Sequence, residues 1–168
     1  MIPEVIEPKS LADYFEVMTR AVFQAGVAWK QIASKWEVYG TAFEGFDPRL
    51  VAAYDSVDVD RVLGTPGILR MPKKVHATIK NARSLVETDR EFGGFAHYLR
   101  AFDSYASLAK DFKKRFLLMG DMNVWYFLFR VSEPVPRFEE WVQTIPGEHP
   151  RMREMVDLAR SQGLSREA

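Results

Sequence analysis

The sequence contains no cysteine among its 168 residues. This absence excludes disulfides, a thiolate nucleophile and any metal site with cysteine ligands. Long apolar runs are also missing, because the most hydrophobic stretch, residues 116–131, is too short for a membrane span and contains charged residues. The first eight residues show no basic segment followed by an apolar run, so no signal peptide is predicted. We therefore expect a cytoplasmic protein that needs no metal, cofactor or membrane.

Net charge is lacking as well, since 23 Lys and Arg residues balance 23 Asp and Glu residues. The charges are unevenly distributed, however. Residues 1–69 carry six basic and ten acidic side chains, residues 70–115 carry eleven and five, and residues 116–168 carry six and eight. A basic segment inside a neutral chain is typical of a protein that binds DNA through one face. Solvated helix faces produce the same asymmetry, and charge alone favours that second interpretation.

Strand-like alternation of apolar and polar residues is nowhere sustained, and helical spacing dominates. Ser10 and Asp13 predict a capping box at the start of the first helix. Asp47 followed by Pro48 predicts another helix start. Further helices are predicted over residues 29–39, after 56, past 72, and over 91–101, 104–114, 121–131 and 150–161. The pattern indicates an all-α, single-domain helical bundle over residues 1–161, with a frayed tail at 162–168.

The segment KKRFLLMGDMN, residues 113–123, joins two of these predicted helices. A short apolar turn that ends in Gly120 and leads directly into a helix exposes several main-chain N–H groups. Those groups and the helix dipole suit one phosphate. Many helical proteins join two helices in this way, so the pattern alone is a weak indication of DNA binding.

An ordered series of motifs strengthens that indication. It consists of FEVM at 15–18, QAGVAW at 24–29, FEGFDPRLVAA at 43–53, DVDRV at 58–62, GILR at 67–70 and KNAR at 80–83. The series resembles the 3-methyladenine DNA glycosylase I family over about residues 11–131. In the second half the resemblance depends mainly on Phe116, Gly120 and Phe127.

The resemblance implies an all-α glycosylase of the helix-hairpin-helix superfamily, which flips a damaged base out of the duplex and cuts its N-glycosidic bond. Trp29 matches the family's aromatic residue and is expected to stack on the flipped base. Gln24, Asn123, Trp125 and Tyr126 are the other expected pocket residues. For each aromatic or polar member, a place in the core or at a helix cap is the alternative.

Departures from the family pattern limit what carries over. The family's base-reading Glu falls at Ala21, and its zinc site cannot form without cysteine, so specificity for 3-methyladenine does not follow. Glu133 is the carboxylate nearest to the superfamily's catalytic Asp and is the candidate catalytic residue, although a loop Glu is more often simply solvated. Met122 stands where bifunctional members have a lysine, which argues against Schiff-base lyase chemistry.

The preferred interpretation is a monofunctional, monomeric glycosylase that excises alkylated purines from double-stranded DNA in base excision repair and is associated with the nucleoid. Val27 is expected to wedge into the gap left by the flipped base. The expected contacts to the DNA backbone are Lys73, Lys74, Lys80, Lys113, Lys114, Arg115, Met119 and Gly120. One alternative is a non-catalytic helix-hairpin-helix module that binds DNA or damaged DNA, which the alanine at position 21 supports. A helical protein-interaction domain is the third possibility.

Overall fold

The structure, a computed structural model, describes residues 5–161 and is all-α, as predicted. The expected tail at residues 162–168 lies outside the described residues. Eleven α-helices lie within residues 5–161, with short 3-10 turns at Glu44–Phe46 and Val142–Thr144: α1 Leu11–Gln24, α2 Trp29–Ala33, α3 Trp36–Ala42, α4 Pro48–Val51, α5 Ser56–Gly64, α6 Pro72–Phe92, α7 Phe95–Leu99, α8 Tyr105–Arg115, α9 Asp121–Arg130, α10 Phe138–Trp141 and α11 Pro150–Ser161.

Several helix boundaries follow from local side-chain chemistry that the sequence predicted. The capping box at the start of α1 is present, because Ser10 accepts from the main-chain N–H of Asp13 while the Asp13 carboxylate accepts from that of Ser10. Asp47 caps α4, and Pro48 occupies its first position. These side chains bond main-chain N–H groups that have no partner within the helix.

Two predicted helices are wrong in their extent. The helix expected over residues 29–39 is broken into α2 and α3 at Ser34, whose hydroxyl donates to the carbonyl of Gln31 and so competes with the helical ladder. The helix expected over residues 91–101 starts too early. Gly93 and Gly94 end α6 with φ values of 66° and 139°, which only glycine adopts without strain, and α7 follows.

The core lies where α1 packs against both α6 and α9, with α8 against α9. Aromatic rings fill much of it. Phe95 meets Tyr14 edge-to-face at 4.9 Å between ring centroids, and Phe112 lies 5.2 Å from Phe127. This packing brings the C-terminal end of α1 beside the N-terminal end of α9. No helix within residues 5–161 is long and apolar enough to cross a membrane.

Candidate functional site

A cavity of about 340 Å³ lies between the C-terminal end of α1 and the N-terminal end of α9. Its lining residues are Ala21, Gln24, Ala25, Gly26, Trp29, Met122, Asn123, Tyr126, Glu148, His149, Pro150 and Met152. The rings of Trp29 and Tyr126 lie 6.4 Å apart between centroids and are tilted by 52°. Two aromatic rings on a concave surface with a few polar groups make a site for a flat heterocycle.

Trp29 reaches this cavity because of the loop that joins α1 to α2. The loop includes Gly26 at φ 74°, and α2 starts at Trp29, which is half-buried. Lys74 holds the start of this loop, because its Nζ donates to the carbonyls of Phe23 at 3.0 Å and Ala25 at 2.7 Å. These carbonyls lie at the negative end of the α1 dipole, where a cation is favoured.

Tyr126 lines the bottom of the cavity and is 3% exposed. Its hydroxyl donates to Oε1 of Gln24 at 3.3 Å. Burial raises the pKa of Tyr126, while the nearby Arg130 and Arg20 guanidinium groups oppose the rise. Tyr126 is therefore a neutral phenol at physiological pH, and it offers a ring face and a hydrogen-bonded hydroxyl.

The polar groups at the cavity differ in how they are bonded. Nε2 of Gln24 is buried and has no hydrogen-bond partner within the described part of the chain. Asn123 donates from Nδ2 to the carbonyl of Leu118 at 2.9 Å, so it both lines the cavity and holds the preceding turn. On the facing side, Nε2 of His149 lies 3.2 Å from the carbonyl of Pro146, next to the exposed Glu148.

The turn between α8 and α9, residues 116–120 (the hairpin), leads directly into the first turn of α9, where Met122 and Asn123 line the cavity. Phe116 and Met119 anchor it in the core at 1% and 3% exposure, while Leu117 is 45% exposed. Asn81 pins it through two main-chain bonds, accepting from the Leu117 N–H at 2.7 Å and donating to the Leu117 carbonyl at 3.0 Å. The Met119 side chain is buried, so the predicted contact of Met119 with DNA would be made by its main chain.

Gly120 marks the start of α9 and is exposed. Its φ of −74° suits any residue, and no protein atom lies within 4 Å of the position a Cβ would take. Neither strain nor packing within the described chain requires glycine here. No side chain caps α9, so the first main-chain N–H groups of the helix are available to an outside acceptor.

Four of the six basic residues expected to contact phosphates lie on the surface, and the other two are bonded to groups of the protein. Lys73, Lys80 and Lys114 are exposed. Lys113 pairs with Asp121 at 2.5 Å.

Lys74 and Arg115 are not available for DNA. Lys74 is 7% exposed, and burial lowers the pKa of its ammonium group. Arg115 lies between Glu91 and Asp111, at 2.7 and 2.6 Å, and over the ring of Tyr98. Both cations already bond groups of the protein, and withdrawing Lys74 would leave the buried Phe23 carbonyl unpaired.

Two other expected site residues lie away from the cavity. Trp125 is fully buried, donates from Nε1 to the Pro136 carbonyl at 3.2 Å and stacks on Phe129, because its helical position points it toward α10. Glu133 pairs with Arg100 at 2.8 Å beyond the C-terminal end of α9. Arg130, the last residue of α9, lies about 6 Å along the helix axis beyond Tyr126, and neither Arg130 nor Glu133 lines the cavity. Trp125 is therefore a core residue and Glu133 a structural ion-pair partner.

The expectation that Val27 wedges into the gap left by the flipped base stays a prediction. It is half-buried in the loop before Trp29, and its N–H donates to the Gln24 carbonyl at 3.1 Å.

The chain is similar to one protein family and to several characterised proteins. The family model described as methyladenine glycosylase matches residues 7–122. DNA-3-methyladenine glycosylase 1 of Escherichia coli (strain K12) is 34% identical over 88 residues, which are 52% of this chain and 47% of that protein. DNA-3-methyladenine glycosylase of Haemophilus influenzae (strain Rd) is 28% identical over 88 residues, which are 52% of this chain and 48% of that protein. The aligned part thus spans about half the length of these curated relatives.

The similarity extends to the fold. A crystal structure of 3-methyladenine DNA glycosylase I superimposes with a TM-score of 0.68 and 26% identity. The superposition covers 77% of this chain and 82% of that one.

Proposed function

The chain belongs to the methyladenine glycosylase family, and from this we propose that it is a monofunctional DNA glycosylase that excises alkylated purines from double-stranded DNA. It would act as a monomer in base excision repair, at the nucleoid in the cytoplasm. One observation carries the proposal: a cavity with two aromatic rings and the exposed start of a helix both lie at the N-terminal end of α9.

This arrangement fits the geometry of base flipping. The N–H groups at the start of α9 would bind a backbone phosphate, as expected for a helix-hairpin-helix motif. Met122, Asn123 and Tyr126, on the next turns of the same helix, line the cavity. A nucleotide held at the hairpin could therefore place its base in the cavity, next to Trp29 and Tyr126.

The chemistry needs little from the protein. A purine alkylated at N3 or N7 is cationic in the nucleotide. When the bond between C1′ and N9 breaks, its electron pair neutralises the base. Water then adds to the oxocarbenium centre at C1′ and loses a proton. Within the described residues, Glu148 is the carboxylate that lines the cavity and could accept that proton. The expected catalytic role of Glu133 is not proposed again, because its Arg100 pair lies at the other end of α9.

Recognition differs from the family pattern at one position of the cavity. Ala21 lines the cavity and carries no charge, so the proposed binding of a cationic base depends on the ring faces of Trp29 and Tyr126. No lysine lines the cavity among the described residues, which agrees with a hydrolase without lyase activity.

A binding module without catalysis is the second candidate, and Ala21 is the observation that favours it. The two functions separate in one experiment. Duplex DNA treated with a methylating agent is incubated with the protein, and the released bases are identified by chromatography. Release of methylated purines without strand scission supports the glycosylase. Tight binding of the same DNA with no released base would establish the binding module instead.

A further inference from the structure

Helix α6 carries two buried polar side chains that bond to the two segments of the site. Lys74 bonds the loop that presents Trp29, and Asn81 bonds the hairpin at Leu117. Both lie on a helix of 21 residues, and they are 7% and 1% exposed. Neither is expected to touch DNA, because each side chain faces the interior.

The spacing of these two residues matters. Seven positions along an α-helix amount to almost two full turns, so Lys74 and Asn81 lie on one face, about 10 Å apart along the axis. Thr78 lies between them, and its hydroxyl donates to the Lys74 carbonyl at 2.8 Å. The helix itself therefore fixes the distance between the loop before Trp29 and the hairpin.

Each bond holds main-chain atoms of one segment of the site. The loop after α1 has its Ala25 and Gly26 exposed, and Lys74 provides the side-chain bond to its carbonyls. The hairpin contains Leu118 at φ 56°, a strained value for leucine. Asn81 bonds both the N–H and the carbonyl of the preceding residue, Leu117. The two bonds therefore fix the main chain of each segment, in addition to the buried Phe116 and Met119 side chains that anchor the hairpin.

We propose that Lys74 and Asn81 are positioning residues for base excision, Lys74 for the base-stacking tryptophan and Asn81 for the phosphate-binding hairpin. This inference rests on the proposed function, because it assigns base binding to one segment and backbone binding to the other. It predicts that the two side chains affect different measurable properties, whereas residues with a merely structural role would affect both alike.

The test compares two variants by two binding measurements. Lys74→Met keeps most of the length of the side chain and removes its donors, and Asn81→Leu keeps the branched shape of the side chain and removes both hydrogen bonds. Calorimetry measures the affinity for free 3-methyladenine, and fluorescence anisotropy measures the affinity for an undamaged duplex. Lys110→Met, on the exposed part of α8, is the control for removing a lysine.

The expected result is a crossed pattern. Lys74→Met weakens free-base binding about tenfold and leaves duplex binding within about twofold, because misplacement by a fraction of an ångström acts only at the cavity. Asn81→Leu weakens duplex binding about tenfold and leaves free-base binding nearly unchanged. Lys110→Met matches the wild type in both.

Equal losses of both affinities in each variant would overturn the inference, and so would two variants that bind like the wild type. If Lys74→Met does not fold, Lys74→Gln replaces it, since a shorter amide cannot reach both carbonyls and should give the same selective loss. Neither readout needs catalysis. A wild-type protein that releases no base but shows the crossed pattern would therefore refute the glycosylase, while Lys74 would still position Trp29 for base binding and Asn81 would still position the hairpin for DNA binding.

Discussion

The hydroxyl of Tyr126 donates to Oε1 of Gln24 at 3.3 Å, joining two residues that are 102 positions apart in the chain. This contact closes the cavity between α1 and α9 at its inner end. Trp29 lies beside it, half-buried, while Trp125, one residue before Tyr126, is fully buried on the other side of α9. The two tryptophans therefore make a matched pair for separating function from stability.

Trp29→Ala is expected to lower the excision of methylated bases by roughly tenfold to a hundredfold, because stacking on one base contributes about 1–3 kcal/mol. Its affinity for undamaged duplex and its melting temperature should change little. Trp125→Ala, the comparison variant, should instead lose about 3–5 kcal/mol of stability. Rates and thermal melts of both proteins provide the measurement. A Trp29→Ala protein that melts as early as Trp125→Ala would place Trp29 in the core and remove it from the site.

The salt dependence of duplex binding should reflect the cations that the fold leaves exposed. Six phosphate contacts would give a log–log slope of about −5, from roughly −0.9 for each contact. Lys74 and Arg115 are bonded inside the protein and Lys113 is paired with Asp121, so Lys73, Lys80 and Lys114 remain. The expected slope is therefore about −3. Anisotropy titrations between low and moderate salt measure it, and a slope near zero would contradict DNA binding altogether.

The sequence predicted the helices well because their signals are local. The capping box at Ser10 and the Asp47–Pro48 start depend on residues within one turn. It also placed Trp29, Gln24, Asn123 and Tyr126 together, through the motif resemblance. The motif resemblance could not decide which of two adjacent aromatic residues faces the cavity. Trp125 and Tyr126 look equivalent in sequence, yet about 100° of helix rotation sends one into the core and the other to the cavity.

The sequence predicted an exposed Lys74, because lysine side chains are usually exposed. A signal was present, however. Lys74, Thr78, Asn81 and Leu85 recur at helical spacing, and all four are buried, so the inward face of α6 is wider than its apolar stripe. Glu148 and His149 gave no such signal. They reach the cavity only because the C-terminal segment folds back over it, which is a long-range contact that no local pattern encodes.

Ala21→Glu should restore a carboxylate at the cavity position that matches the family's base-reading residue. We expect free 3-methyladenine to bind about tenfold more tightly, which corresponds to about 1.4 kcal/mol. A hydrogen bond to a charged group is worth that much in a partly buried site. Ala21→Gln is the control, because it adds similar volume without the charge. Calorimetry distinguishes the two, and equal affinities for both variants would show that a carboxylate at position 21 plays no part in recognition.

Glu148→Gln tests whether the exposed carboxylate at the cavity assists the attack of water. The excision rate at saturating protein should fall by about a hundredfold, at the low end of general-base effects, while affinity for methylated duplex stays unchanged. Glu154→Gln removes an exposed carboxylate of α11 that does not line this cavity and should keep the wild-type rate. Single-turnover kinetics on methylated DNA provide the comparison. A Glu148→Gln protein as fast as the wild type would leave the reaction to the cationic leaving group and unassisted water.

The stability of the protein should carry a pH signature of the buried Lys74. Burial lowers the pKa of its ammonium group below the ordinary 10.5 in the folded state only. As the pH rises through the interval below 10.5, the folded protein releases this proton before the unfolded chain does. The unfolded state then binds more protons, so the free energy of unfolding gains a contribution that increases with pH. Below that interval both states are protonated and the contribution stays constant.

Lys74→Met isolates this effect, because buried tyrosines such as Tyr126 titrate alike in both proteins and cancel in the difference. Urea unfolding at about pH 7 and at about pH 10 measures it. The stability of the wild type relative to Lys74→Met should be greater at the higher pH, by the amount that the lowered pKa of Lys74 dictates. If the difference between the two proteins is the same at both values, the ammonium group has an ordinary pKa and is better solvated than its position under the Trp29 loop implies.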